Sequence, residues 1–305
     1  MQRLLILIIG FPALLWGQGT FPPAAGQPGS TAIAADSSLI SGWANSGKVY
    51  RGWLDRGQKN LGRATQGDSL AFTGAADGQT VSLGDSGYAE IYCNPPLQNQ
   101  PGADFAVFEN SFSDTYLELA FVEVSSNGRD FARFPAISLT DSSTQVGTFG
   151  SSDPRNIHQL AGKYRGNFGV PFNLDSLPPG TAVNKNSITV IRIVDVTGAV
   201  GKPYTTRDSR GNPVNDPYPT AFAGGGFDLD AVAFLHPQGI GLTPVKQPEV
   251  SVFPLPAEDV LHFSTPLARL KMVNLSGEVV LRHTAAARQL SVAHLPKGHY
   301  WLTAR

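Results

Sequence analysis

Asp228 and Asp230 stand two residues apart in the run Phe227-Asp-Leu-Asp-Ala-Val-Ala-Phe-Leu235. On a strand this spacing places both carboxylates on one face and Phe227, Leu229 and Ala231 on the other. Two like charges on one face repel unless water or a cation separates them, and a hard cation with oxygen ligands resolves that conflict. Calcium is the expected ion, because exported modules bind it at concentrations of about 0.1–1 mM. Asp104, Glu109 and Asn110, at the start and end of Ala103-Asp-Phe-Ala-Val-Phe-Glu109, offer further candidate oxygens. The competing use of Asp228 and Asp230 is to accept backbone hydrogen bonds at a sheet end.

A second cluster lies in Asp208-Ser-Arg-Gly-Asn-Pro-Val-Asn-Asp-Pro-Tyr-Pro219, a polar loop with three prolines. Rigid loops present binding residues. Tyr204 and Tyr218 supply flat ring faces for a sugar or other planar ligand, and Arg207 and Asp208 supply hydrogen-bonding groups. The alternative is a surface loop whose tyrosines pack against the body of the protein.

Other chemistries lack support. Of six histidines, only His158 and His236 precede residue 250, which leaves no histidine-rich zinc site there. No glycine-flanked serine elbow occurs. Gly224-Gly-Gly226 leads into a strand, whereas a phosphate cradle leads from a strand into a helix. Cys93 is the sole cysteine and sits in a strand-like run, Tyr88-Ala-Glu-Ile-Tyr-Cys93, as a buried apolar thiol would. A glycosidase reading needs two carboxyls roughly 5–10 Å apart across a cleft. Glu118 and Glu123, five apart on one strand, face opposite sides.

The elements that must position these groups are strands. Short apolar-alternating runs recur from residue 36 to 236, among them Leu117 to Val124, which stops at the turn signal Ser125-Ser-Asn-Gly128, and Ser187 to Val196. Only Asn156 to Tyr164 has the pattern of a short helix. Gly 33 and Pro 23 among 305 residues suit many turns, and a net charge of -1 removes the electrostatic basis for nucleic-acid binding. Residues 1–18, with Arg3 ahead of an apolar run from Leu4 to Trp16, read as a cleavable secretory signal, and no later stretch is apolar and long enough to span a membrane. Residues 19–35 read as a flexible leader, 36–236 as the main domain, 237–249 as a linker and 250–305 as a small all-β module.

The closing module resembles the type A sorting domain of type IX secretion. Val252-Phe-Pro-Leu-Pro-Ala257, Leu270-Lys-Met-Val-Asn-Leu-Ser-Gly-Glu-Val-Val280 and Leu295-Pro-Lys-Gly-His-Tyr-Trp-Leu302 keep that family's order, with Phe253 at the aromatic position and Leu255 in place of the usual asparagine. The resemblance implies partnership with the type IX secretion machinery and passage across both membranes to the cell surface or the medium. In the main domain, Val81-Ser-Leu-Gly-Asp-Ser-Gly87, Pro101 to Asn110, Glu118 to Gly128, Asp216-Pro-Tyr-Pro-Thr220 and Gly225 to Val232 resemble a bacterial "cell surface protein" family of Bacteroidota and Planctomycetes. More loosely, the strand ending in Ser-Ser-Asn-Gly128 is similar to galactose-binding-like jelly rolls.

The expectation is an all-β protein: a jelly-roll-like β-sandwich followed by a small β-sandwich sorting domain. Its expected role is exported, non-catalytic binding of a glycan or other envelope or extracellular ligand on a calcium-stabilised sandwich. The alternatives are a secreted carbohydrate-active enzyme using a carboxylate pair, and a structural or adhesion surface protein.

Overall fold

A computed structural model of the chain describes residues 21–237 and 250–303, so the expected secretory signal and nearly all of the expected linker lie outside the described residues. The chain divides into two compact units, Met1–Gly241 and Leu242–Arg305.

The first unit is built from β1 (Ile33–Ala34), β2 (Gly42–Trp43), β3 (Gly47–Tyr50), β4 (Val81–Ser82), β5 (Tyr88–Leu97), β6 (Phe105–Glu109), β7 (Ala120–Ser125), β8 (Ala132–Arg133), β9 (Ile137–Ser138), β10 (Ile157–His158), β11 (Phe168–Phe172), β12 (Ile188–Asp195) and β13 (Asp228–Phe234). One antiparallel sheet runs β1-β11-β6-β13-β2, with β4 also paired to β13, and a second runs β3-β5-β12-β7-β8. Apart from β7 and β8, neighbours in both sheets are not consecutive in the chain, as in sandwiches whose strands cross between layers.

Period-two alternation explains why the layers face each other. Phe105, Val107, Phe172, Val232 and Phe234 of the first sheet share one buried core with Ala89, Ile91, Val122, Val124, Ile191 and Ile193 of the second. β-branched and aromatic residues fill pleated, buried surfaces well, and burying each such side chain contributes about 1.5–3 kcal/mol before entropy is counted.

The four strand runs around β6, β7, β12 and β13 fall where the alternation predicts them. Two expectations fail. Asn156 to Tyr164 is not a helix: Pro154–Asn156 forms a single 3₁₀ turn capped by the Asp153 carboxylate, and β10 follows directly. Pro154 fixes the turn, and Ile157 is drawn into a strand because it is fully buried. Residues 21–35 are not a free leader either. Ala25 joins the main core, β1 pairs with β11, and the Phe21 amide donates to the Arg155 carbonyl at 3.1 Å.

The second unit contains β14 (Val252–Phe253), β15 (Val260–Leu267), β16 (Leu270–Asn274), β17 (Val279–His283), β18 (Ala287–Ser291) and β19 (Tyr300–Thr303). These form two three-stranded sheets, β14-β15-β18 and β17-β16-β19. Leu261, Phe263 and Leu290 from one pack with Leu270 and Met272 from the other. Among the described residues no helix is long and apolar enough to cross a membrane.

Candidate functional site

The expected acidic ligands do not act as one group. Asp104 and Glu109 lie at opposite ends of β6, roughly 17 Å apart along an extended strand. Asp104 is spent on its own corner, accepting the Gln100 and Leu174 amides at 2.8 Å each. Asp230 sits at a bulge, because the β13–β6 register shifts between Leu229 and Ala231. Leu229 therefore packs in the inter-sheet core, whereas Ala231 joins Ala106 and Phe108 in a separate cluster, contrary to the expected alternation. Asp230 accepts the Asp77 and Gly78 amides at 3.2 and 3.1 Å. Asn110 is exposed, and its amide reaches only the Thr80 hydroxyl, at 3.4 Å.

Glu109 and Asp228 remain, and they belong to a larger set. Register pairs Glu109 with Leu229, so its side chain points between the sheets at the end of β6. Asp195 ends β12 on the same inward face as Ile191 and Ile193. Glu118 precedes β7, and Asp216 arrives from the long loop between β12 and β13. Relative exposures are 1% for Glu109, 6% for Glu118, 3% for Asp195 and 4% for Asp216. One end of the core is therefore closed by carboxyl groups.

Their environment favours the uncharged form. Burial, then the neighbouring Glu118, holds Glu109 well above the usual carboxylate range. Burial, then Asp228 and Asp195, pushes Glu118 up to about 9. Burial raises Asp216 as well, with Glu118, Asp195 and Glu109 adding to the effect. Burial and Asp85 raise Asp195, although both its oxygens are occupied by backbone amides, from Phe227 at 2.8 Å and Ser86 at 2.9 Å. Burial takes Asp228 to about 6, moderated by the Ser82 hydroxyl and by Arg51.

Hydrogen-bond satisfaction divides the set. Glu109 Oε2 accepts the Ser111 amide at 2.8 Å and Asp216 Oδ2 accepts the Leu119 amide at 3.1 Å. Glu109 Oε1, Glu118 Oε1 and Asp216 Oδ1 are buried with no donor. Buried polar atoms are rarely left so. Among the described residues no three carboxylate, imidazole or thiolate groups are closed around a single point in the manner of a formed metal centre. Two glycines hold the backbone in place. A Cβ on Gly162, at φ +78, would stand 1.7 Å from the Glu118 carbonyl oxygen, and one on Gly198 would stand 2.4 Å from Asp216.

The same end of the first unit carries an exposed row of aromatic rings. Phe112 and Tyr116 stack at 4.7 Å, Tyr116 and Phe149 lie 6.3 Å apart, and Phe149 and Phe222 lie 6.2 Å apart and within 10° of parallel. Tyr116 is buried, but Phe112 and Phe149 are 76% and 74% exposed. Two internal fasteners build this row. The Ser111 hydroxyl donates to the Tyr116 carbonyl and closes the 111–116 loop. Asn215, fully buried, accepts the Val146 amide at 2.9 Å and donates to the Asp141 and Thr144 carbonyls at 2.6 and 2.7 Å. It thereby joins the segment before Phe149 to the one before Phe222. Beside the row runs a groove of about 450 Å³, whose lining includes Gln27, Asp114, Thr115, Ser151, Asp153 and Arg155.

The expected ligand-binding residues serve mainly as scaffolding. Tyr218 is buried; its hydroxyl donates to Asp55 at 2.7 Å and meets the Tyr204 hydroxyl at 3.0 Å. Asp208 accepts the Ser138, Arg210 and Asn212 amides at 3.0, 2.8 and 2.8 Å, which explains its low exposure in a polar loop. Arg207 is exposed and donates to the Gly211 carbonyl at 2.8 Å. Phe112, Phe149 and Phe222 escape sequence reasoning because they come from three loops with no shared spacing. Each stands singly in its loop, flanked by small or polar residues, where a buried anchor looks the same.

No protein-family model matches the chain, and comparison with curated proteins and with solved structures likewise finds no match.

Proposed function

We propose that this protein is an exported, non-catalytic binding protein that recognises a glycan on the aromatic row at one end of a calcium-stabilised β-sandwich. The observation carrying this reading is the pair of rings on Phe112 and Phe149, each about three-quarters exposed, beside a polar groove. Exposed aromatic clusters rimmed by polar groups mark interaction sites. A sugar offers both surfaces such a site complements: an apolar C–H face for the rings and hydroxyls for Asp114, Ser151, Asp153 and Arg155. The two acids lining the groove are each paired with an arginine, Asp114 with Arg165 at 2.6 Å and Asp153 with Arg155 at 2.7 Å. Arg155 holds Asp153 below the usual carboxylate range, which suits it to accept hydrogen bonds rather than to deliver a proton.

Residues 1–18 serve as the secretory signal and 250–305 as the address read by the type IX secretion machinery, and the mature product works at the cell surface or in the medium. A glycan array probed with the full chain tests the binding role. Phe149→Ala and Phe112→Ala should each weaken a captured glycan by about 10-fold or more, as loss of a central aromatic anchor does. Unchanged capture by both variants would refute the assignment of the face.

A further inference from the structure

We propose that Glu109, Glu118 and Asp216 hold a calcium ion at the carboxyl-lined end of the sandwich, through the three oxygens that no donor reaches. This gives the calcium-stabilised sandwich of the preceding section a site, and it replaces the ligand set expected from the sequence. The unpartnered atoms are Glu109 Oε1, Glu118 Oε1 and Asp216 Oδ1, on side chains that are 1%, 6% and 4% exposed. They come from three separate segments: the end of β6, the approach to β7 and the β12–β13 loop. The companion oxygens of Glu109 and Asp216 are fixed by the Ser111 and Leu119 amides, so both side chains are already oriented.

What is missing at this end is positive charge. The charged neighbours of all three groups are other carboxylates. Lys163, the buried lysine of the unit, is occupied elsewhere, donating to the Ile157 carbonyl at 2.8 Å. Arg51 is turned toward the Gln66, Ser82 and Gly67 carbonyls. A hard cation accepting 6–8 oxygens from a flexible cage is the group that these three unpartnered oxygens lack, and calcium tolerates irregular geometry better than magnesium does. Loading draws three groups together, since as they stand they are not closed around one point. The loops that must move are those carrying Tyr116 and, six residues beyond Asp216, Phe222.

The test uses the full chain, stripped with chelator and then melted with calcium, with magnesium or with neither. Calcium at about 1 mM should raise the melting temperature of the first unit by roughly 5–10 °C, with magnesium doing much less. Glu118→Gln should abolish the calcium shift while melting no lower than the wild type in chelator, because glutamine keeps the shape of the uncharged acid that burial favours there. Asp216→Asn gives a second reading should Glu118→Gln fail to fold. Asp230→Asn, away from the site, should keep the full shift. Terbium as a calcium surrogate should show tyrosine-sensitised emission from Tyr116 that Glu118→Gln loses. An equal calcium shift in wild type and Glu118→Gln, or none in wild type, overturns the assignment and leaves these carboxyls as protonated core groups. The melts contain no sugar, so they stand or fall apart from the glycan assignment. Phe149→Ala should lose glycan and keep the calcium shift.

Discussion

Asp85 shows at a single residue how burial writes itself into pH dependence. Its carboxylate accepts the Arg56 amide at 2.6 Å, yet burial takes it up to about 6, from an ordinary value near 4. The folded protein therefore holds this proton more tightly than the unfolded chain does. The resulting stabilisation is complete below about pH 4 and disappears as pH rises through about 6. Asp85→Asn keeps an acceptor for Arg56 and removes the titration. Relative to wild type, the variant should gain up to about 3 kcal/mol between pH 4 and 7 in urea unfolding series. A constant difference across that range would show that Asp85 titrates as it does in water. Cys93 illustrates a residue whose state the sequence did disclose: alternation placed it inside, and burial pushes its thiol up to about 12. Its side chain packs in the inter-sheet core, where burial outweighs the one backbone hydrogen bond, from Leu97, that favours the thiolate, so the reading as inert packing holds.

At the scale of elements, the strands were readable because alternation and β-branching act locally, and β6, β7, β12 and β13 lie where those patterns occur. What closes their ends was not. The bulge at Asp230 redirects every later side chain of β13, and nothing in Phe227-Asp-Leu-Asp-Ala announces it. Asp104 and Asp208 looked like ligands because a sequence does not show which backbone amides stand opposite a carboxylate. Asn215 was overlooked for the same reason. As one fully buried side chain it ties three loop positions together, so Asn215→Ala should cost about 2–4 kcal/mol by leaving the Val146 amide and two carbonyls without partners. Urea unfolding would measure that cost, with the exposed Asn110→Ala expected to change stability by less than about 0.5 kcal/mol. A near-zero effect at Asn215 would show that water replaces the side chain, and that the aromatic row does not depend on it.

On the scale of the whole molecule, the chain divides into two compact units, each with a core of its own. A chain ending at Pro237 should keep the thermal transition of the first unit within about 2 °C, since β13 and its core are complete by Phe234. In a host with type IX secretion, the same truncation should strand the protein inside the outer membrane, whereas the full chain reaches the outside. Export without residues 250–305 would remove the address role from that module.

The tethering of residues 21–35 has a practical outcome. Pro23, Ala24 and Gln27 form one side of the groove, Arg165 clasps the Ala25 carbonyl at 2.8 Å, and the Phe21 ring lies flat against His158 at 4.8 Å. Phe21, whose amide is bonded to the Arg155 carbonyl, thus stands beside the surface assigned to recognition. An affinity handle or carrier fused there would crowd incoming sugar, and a protease nibbling past residue 27 would demolish a wall of the groove while sparing both sheets. Handles for capture experiments belong elsewhere on the chain.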